Sequence, residues 1–511
     1  MKRSTFVNWG SSFATLAQRF GPQAAVCTET GEHSFAEVLG RAAALAKTLA
    51  EIGVQPGEPV ATFLPNQAHA VWASIGVTLS GAAETSLNFG LTAEELKYSL
   101  DLLKIRHVIS DERLAPVVRG CGYSPLSIES LGQELATLDT QKPVEGNLWG
   151  KILFTSGTTG KPKAIIHSHE RRWTANLMLR SSLPFMPDLS SRILLVTPYS
   201  HGSSLLAGAF LDSGASVYLM EGAKTDVIKE LLSSGDVDCI FAPPTVLAKL
   251  IASLGHFRCD TLRAVFTGTA TLSSSLYRQT REVFGPVVRI TYGKTEIFNP
   301  ITVLGPHDAD RAYASESGEG ANLGWPVSGV EIQIRDENGM PCQQGTAGRI
   351  FIRAPHMLVG YIDHRGLHEV ADGDWHESGD VGFVSKKNQL FLIGRENDVI
   401  KTGGYKVFPQ EIEAPLVSAR IASEIVALGV PSQYWGQFII VAAENPVPGW
   451  DIRAKEAVAC LSKYKRPRAY VALTKFPRNP QGKLQRNKVL EKILEHYQVE
   501  DGPRPGLRPE K

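Results

Sequence analysis

The chain has almost no charge imbalance: 53 basic and 52 acidic residues leave a net charge of +1 over 511 residues. No global field recruits nucleic acid or an anionic membrane surface, so any site for anions must be local. The six cysteines, Cys27, Cys121, Cys239, Cys259, Cys342 and Cys460, are scattered, with no CxxC pair and no metal-ligand spacing. Reduced thiols are expected, without disulfides or structural zinc. No window approaches the roughly 18 consecutive apolar residues of a membrane span. Lys2 and Arg3 are followed by Asn8, Trp9, Gly10 and serines rather than by the apolar run of a signal peptide. Repeats of 20–50 residues and low-complexity linkers are missing too, which excludes solenoids and loosely tethered domains. The expectation is a cytoplasmic protein with no nucleic-acid partner and no membrane span.

What is present is ordinary globular material, 43% hydrophobic and 21% charged, with 47 glycines and 30 prolines. A chain of this length divides, because single cores stop growing near 250–300 residues, about half of what is present here. Residues 36–53 carry apolar side chains at helical spacing and stop at Gly53, followed by Pro56 and Gly57. PVATFLPNQ then reads as a buried strand. RILLVTPYS, ASVYLM, VDCIFAPP, LRAVFTG and VVRITYG continue the alternation, which predicts doubly wound α/β structure over the first 300 or so residues. From about Gly324 short strands with turn dipeptides take over, as in VEIQIRDENGMPC and GRIFIRAP, and after GRENDVIK the texture becomes mixed α+β. The predicted division is 1–395 and 396–511, with a β-rich unit at roughly 324–394 and a hinge at 394–398.

One segment announces chemistry. ILFTSGTTGKPK (152–163) sets an apolar strand before a loop of small hydroxylic residues, two glycines and two lysines. Gly157 and Gly160 let backbone amides approach phosphate oxygens; Thr155, Ser156, Thr158 and Thr159 add hydroxyls; Lys161 and Lys163 add charge. The spacing is not that of a P-loop NTPase, in which four residues separate the glycines and Ser or Thr follows the lysine. An exposed polar turn is the alternative, but six small residues in succession after a buried strand favour a polyphosphate cradle.

Further along come YGKTE (292–296), SGD (378–380), GRENDVIKTGGYKVFPQEIE (394–413), LSKYKRP (461–467) and PRNPQGKLQR (477–486). With the loop, these six ordered segments resemble the adenylate-forming superfamily of acyl-CoA synthetases, luciferases and peptide-synthetase adenylation domains, and within it the stand-alone acid:CoA ligases. The resemblance implies a large N-terminal domain of two doubly wound α/β subdomains and a small β-barrel-like one. A smaller mobile α+β domain would follow, carrying the catalytic lysine. It implies ATP, Mg²⁺ and coenzyme A as co-substrates and cofactor.

By the same resemblance Thr295 serves the α-phosphate and Glu296 the metal, a carboxylate oxygen being the ligand Mg²⁺ prefers. Thr291, Tyr292 and Gly293 belong to the nucleotide site, with Tyr292 packing on adenine or, alternatively, serving as a core tyrosine. Asp380 and Arg395 hold the ribose hydroxyls. Lys483 is the catalytic lysine, an ammonium placed where charge shifts as carboxylate attacks phosphorus. Gly403 and Gly404 line the pantetheine tunnel, Lys401 reaches the adenylate in the thioester-forming arrangement, and Lys463 and Lys465 meet the CoA phosphates. The acid pocket draws on His201 of PYSHGSS, on Gly268, Thr269 and Ala270, and on Ile297 and Phe298; His201 orients the carboxylate, walls the pocket or simply packs. Gly268, Thr269 and Ala270 also border the nucleotide. The pocket composition suits an aryl or medium-chain acid.

Two positions depart from the family pattern. Asn397 stands where aspartate or lysine commonly forms the pivot, and asparagine tolerates the backbone angles a pivot needs. Lys294 puts a charge inside YGKTE, free to pair locally or to face an anionic substrate group. Three rival activities share the motifs: loading of a carrier-protein pantetheine, so that an acyl-carrier protein is a possible partner; oxidation of the adenylate, as in luciferases; and a nucleotide-binding protein without catalysis. Joint retention of Lys483, Glu296, Thr295 and Arg395 argues against the last.

Overall fold

The computed structural model describes residues 5–131, 135–140, 142–155, 162–268, 270–314, 320–478 and 484–510, with only the backbone of His201. Two large sheets dominate. In the first, strands Trp149–Thr155, Ala83–Leu87, Pro59–Phe63, His107–Ser110 and Pro125–Ser127 lie parallel in that order. Lys163–Ser168, Gly360–Asp363 and Gly366–Glu369 extend one edge antiparallel. In the second, Val288–Tyr292, Ala264–Thr267, Cys239–Phe241, Arg192–Leu195, Ser216–Leu219 and Ala24–Thr28 are parallel, with antiparallel strands at both edges.

The runs that read as buried strands are these strands, and the predicted helix 36–53 is Phe35–Glu51, capped by the Ser34 hydroxyl accepting from the Glu37 amide. Such strands are apolar throughout because helices cover both faces. Helix Ala68–Leu79 is apolar on every side and buried on nearly every side, as a helix between two layers must be. Together with Phe35–Glu51 it shares one core with Val60 and Ile109 of the first sheet and Val26, Ile193 and Val217 of the second.

A third, wholly antiparallel sheet joins Ala321–Asn322, Leu390–Arg395, His376–Val384, Gly348–Arg353 and Glu331–Arg335. The β-rich stretch 324–394 is therefore shared out: residues 360–369 complete the first sheet and Trp325–Pro326 the second. Strand pairing changes partner after Arg395. Ile400–Thr402, Tyr405–Val407, Gly436–Glu444, Glu424–Ser432 and Ala469–Leu473 form a fourth sheet with its own cores. The 3₁₀ turn Glu396–Asp398 lies between the two. All six cysteines are free thiols. No helix among the described residues is long and apolar enough to cross a membrane.

Candidate active site

Candidate residues from the first three sheets come together: His167 of the first touches Thr295, and Asp380 of the third touches Tyr292 of the second. In open α/β sheets, ligands bind beyond the carboxyl ends of the parallel strands. Gly268 and Ala270 follow Ala264–Thr267; Gly293 to Glu296 follow Val288–Tyr292; the turn Tyr199–Ser203, which carries His201, follows Arg192–Leu195. Gly268 and Thr291 meet so closely that a Cβ at 268 would stand 2.5 Å from the Thr291 carbonyl oxygen, which requires glycine there.

The first sheet contributes a hairpin. Thr155 pairs with Lys163 across antiparallel strands, so the glycine-rich segment connects two strands of one sheet, whereas a P-loop connects a strand to a helix. Ser156, Gly157, Thr158, Thr159, Gly160 and Lys161 lie outside the described residues, as does Thr269. At the end of the loop, the Lys163 ammonium lies 4.9 Å from the centre of the Tyr361 ring.

Two histidines clamp the turn after YGKTE. His167 Nε2 donates to the Thr295 carbonyl at 2.8 Å, and its ring stacks on Phe298 with centroids 3.7 Å apart. His356 Nε2 reaches the carbonyls of Phe298 at 2.9 Å and Pro300 at 3.1 Å. Burial lowers the pKa of His167 to about 3 and that of His356 to about 4, so both are neutral donors at neutral pH. The Leu358 amide completes the clamp by donating to the Glu296 carbonyl at 2.7 Å. Ile297 and Phe298 are consequently packed in the interior, Ile297 bridging to Met357. Sequence reading missed both clamp histidines; the signal for His167 is a histidine in the apolar strand AIIHS, where a polar group needs a partner.

The third sheet brings Asp380. It is 2% exposed, accepts from the Tyr292 hydroxyl, and faces its cross-strand partner Arg395, whose Nε is 3.1 Å from Oδ1. Tyr292 itself is buried, its ring in a cluster with Ile165, Ile301 and Leu323. Burial first, and then the Asp380 charge, raise the Tyr292 hydroxyl well above its ordinary range. Lys294 resolves into a local pair: its ammonium donates to the Ser378 carbonyl and lies 3.8 Å from Asp380. Burial lowers its pKa against the opposing pull of Asp380 and Glu296.

Glu296 makes no side-chain hydrogen bond or ion pair with the described residues, leaving a carboxylate within electrostatic reach of Lys294 and His376 but uncommitted. Mg²⁺ bound to a nucleotide takes one or two carboxylates and keeps waters and phosphate oxygens for the rest, so a single free carboxylate fits it. No cluster of three or more potential metal ligands occurs among the described residues.

On the fourth sheet Gly403 adopts φ +55°, and a Cβ there would stand 2.8 Å from the Trp435 ring. Gly404 follows at φ +82° with open space around it. Asn397 and Lys401 border one surface groove together with Gln437, whose side chain accepts from the Lys401 amide. Lys463 and Lys465 occupy a short 3₁₀ turn; Lys463 is exposed, whereas Lys465 is tied to Glu411. Lys483 lies outside the described residues. Its segment is bracketed by the Arg478–Leu484 bridge, and Arg478 is anchored by Glu424 and Glu444.

The arrangement is one in which a nucleotide and a small acid can meet, and a model of the AMP-binding enzyme family matches residues 13–362. The chain belongs to the AMP-binding enzyme family. It is 27% identical over 499 residues to a 2-succinylbenzoate–CoA ligase of Listeria monocytogenes, covering 95% of this chain and 99% of that protein. In structure it resembles the Bacillus subtilis o-succinylbenzoate CoA synthetase bound to its acyl-adenylate intermediate, with a TM-score of 0.82 at 23% identity over 94% of this chain and 98% of the other. The amide bond synthetase McbA of Marinactinospora thermotolerans has the same fold, at TM-score 0.82 and 23% identity over 94% and 99%. The α/β architecture read from the sequence is thus that of the acyl-adenylate enzymes.

Proposed function

We propose that this AMP-binding enzyme is an ATP-dependent acid:CoA ligase. A carboxylate oxygen attacks the α-phosphorus of ATP and pyrophosphate departs. The CoA thiol then attacks the carbonyl carbon of the acyl-adenylate, AMP leaves, and the thiol proton passes to solvent. The observation that carries the reading is the end-to-end match to CoA ligases, on a chain whose sequence keeps all six ordered motifs.

In this reading the 155–163 hairpin cradles the phosphates, Thr295 meets the α-phosphate, and Asp380 and Arg395 take the ribose. Glu296 would hold Mg²⁺, which when bound would supply neutralising charge to the phosphates. Lys483 stabilises the charge shared between the carboxylate and the α-phosphate. The turn at Asn397 serves as the pivot between residues 1–395 and 396–511, and the absence of side chains at Gly403 and Gly404 leaves room for the pantetheine arm. Lys463 is the better candidate for a CoA phosphate, since Lys465 is already paired. The acid is aryl or medium-chain, in keeping with the aryl acid named for the relatives. The free thiols suit a cytoplasmic setting.

An amide bond synthetase on the same fold makes the acceptor the point to test. Purified protein with ATP, Mg²⁺ and a panel of aryl and medium-chain acids is assayed for pyrophosphate release with and without CoA, with products identified by mass spectrometry. Acyl-CoA and AMP in equal amounts are expected. An acyl-adenylate that CoA fails to consume would transfer the reading to a carrier-protein or amine acceptor.

A further inference from the structure

A cavity of about 340 Å³ lies in the helical layer between the two large sheets, bounded by helices Trp9–Phe20, Phe35–Glu51, Ala68–Leu79, His169–Ser181 and Ser204–Leu211. It adjoins the acid side of the candidate site. Leu205 lines it and also packs against the cluster of Leu153, Ala175 and Phe298. Tyr199, two residues before His201, lines it as well.

Most of its walls are apolar, and one polar flank is closed on itself. Lys151 binds Glu84 at 2.9 Å and Ser86 at 3.1 Å, while Arg172 binds Thr78 at 2.6 Å. The other flank is not closed. Asp212 takes both of its hydrogen bonds on Oδ2, from Asn176 at 2.5 Å and Arg180 at 3.5 Å; Oδ1 has no partner among the described residues. Asp212 also caps the C-terminus of helix Ser204–Leu211, where the helix dipole disfavours a carboxylate. Burial pushes its carboxyl up as well. An acidic group placed against both the dipole and its own desolvation breaks a local rule, and such breaches gather at functional positions.

We propose that this cavity is the distal half of the acid pocket, and that the substrate is a carboxylic acid whose extended or fused-ring apolar body passes Leu205 and ends in a hydroxyl held by Asp212 and Arg180. A hydroxyl suits that pair because it donates to the carboxylate and accepts from the guanidinium at once. The inference rests on the ligase reading and narrows its acid.

Gly208 offers the means of testing it. It lines the cavity, and a Cβ there meets only Asn176 Oδ1, at 3.9 Å, so Gly208→Met fills space without displacing backbone. Acid-dependent pyrophosphate release is measured with benzoate, dodecanoate, 12-hydroxydodecanoate, 5β-cholanate and lithocholate. At least one hydroxylated acid should exceed its parent tenfold or more in kcat/KM. Gly208→Met should lower the ratio of that acid to benzoate at least tenfold, and Asp212→Leu should bring the hydroxylated acid level with its parent. Hydroxylated acids no better than their parents, or a Gly208→Met effect equal on all acids, overturns the proposal. ATP binding without pyrophosphate release from any acid overturns the ligase reading itself.

Discussion

Lys294 shows what a single side chain can decide. Only 9% of it is exposed, and its ammonium is held by the Ser378 carbonyl and the Asp380 charge, so it braces the strand that presents Asp380. Lys294→Met leaves a buried carbonyl without its donor and removes one of the two cations beside Asp380, a loss of about 1–3 kcal/mol. The expected result is a KM for ATP raised roughly tenfold with kcat little changed, since the effect is on ribose placement rather than on the transition state. Steady-state kinetics at saturating acid checks it. Lys483→Ala should do the reverse: adenylate formation falls by about two to three orders of magnitude while calorimetric ATP affinity holds. A role for Lys483 could be proposed from the sequence because its motif is contiguous. The setting of Lys294 was not, because Ser378 and Asp380 reach it from 84 and 86 residues away.

Among the elements, strands Trp149–Thr155 and Lys163–Ser168 carry more than their loop. Lys151 and Glu84 form a buried ion pair, 1% exposed on each side. Burial would raise the Glu84 carboxyl, but the charges of Lys151 and Arg172 outweigh it and hold its pKa at about 2. Burial lowers the Lys151 ammonium in turn, against the opposing charge of Glu84. Lys151→Met removes the nearer of the two cations beside this buried carboxylate, leaving Arg172 at 3.4 Å, and should cost about 1–3 kcal/mol in denaturant unfolding. The paired strands also carry His167 and the adjoining His169, whose pKa values burial lowers to about 3 and about 4. An unfolded histidine titrates near pH 6.5, so between about pH 6.5 and 4 the unfolded chain binds protons that the folded chain does not. Stability is full above that window and falls through it, by about 1.4 kcal/mol per pH unit for each such histidine. Thermal unfolding across pH 7 to 4 should show the fall, and His167→Gln, which keeps a donor for Thr295, should make it shallower. The first strand was readable as the apolar run before the glycine-rich segment; the second was not singled out. The histidine clamp was not, since a lone histidine in a strand gives no hint of the carbonyl it serves.

Over the whole molecule, the alternation of helical and apolar runs made parallel α/β structure legible, the family resemblance implied its division in two, and the change of texture near Gly324 announced a β-rich unit. It did not reveal that residues 360–369 return to the first sheet, because antiparallel edge strands read alike whichever sheet receives them. The cavity was equally invisible: its walls come from five helices spread over residues 9–211, each of whose inward faces reads as ordinary core. The change of strand partners between Arg395 and Ile400 makes Asn397 the place where rotation would occur. Asn397→Pro should stiffen that turn, leaving pyrophosphate release in the first step within a few fold but slowing acyl-CoA formation at least tenfold in single-turnover assays.

The ligase reading requires an adenylate formed before the thiol arrives. Exchange of labelled pyrophosphate into ATP, measured without CoA and with and without acid, tests that order. Exchange that requires the acid and needs no CoA is the predicted result; exchange without acid, or none until CoA is added, would contradict it.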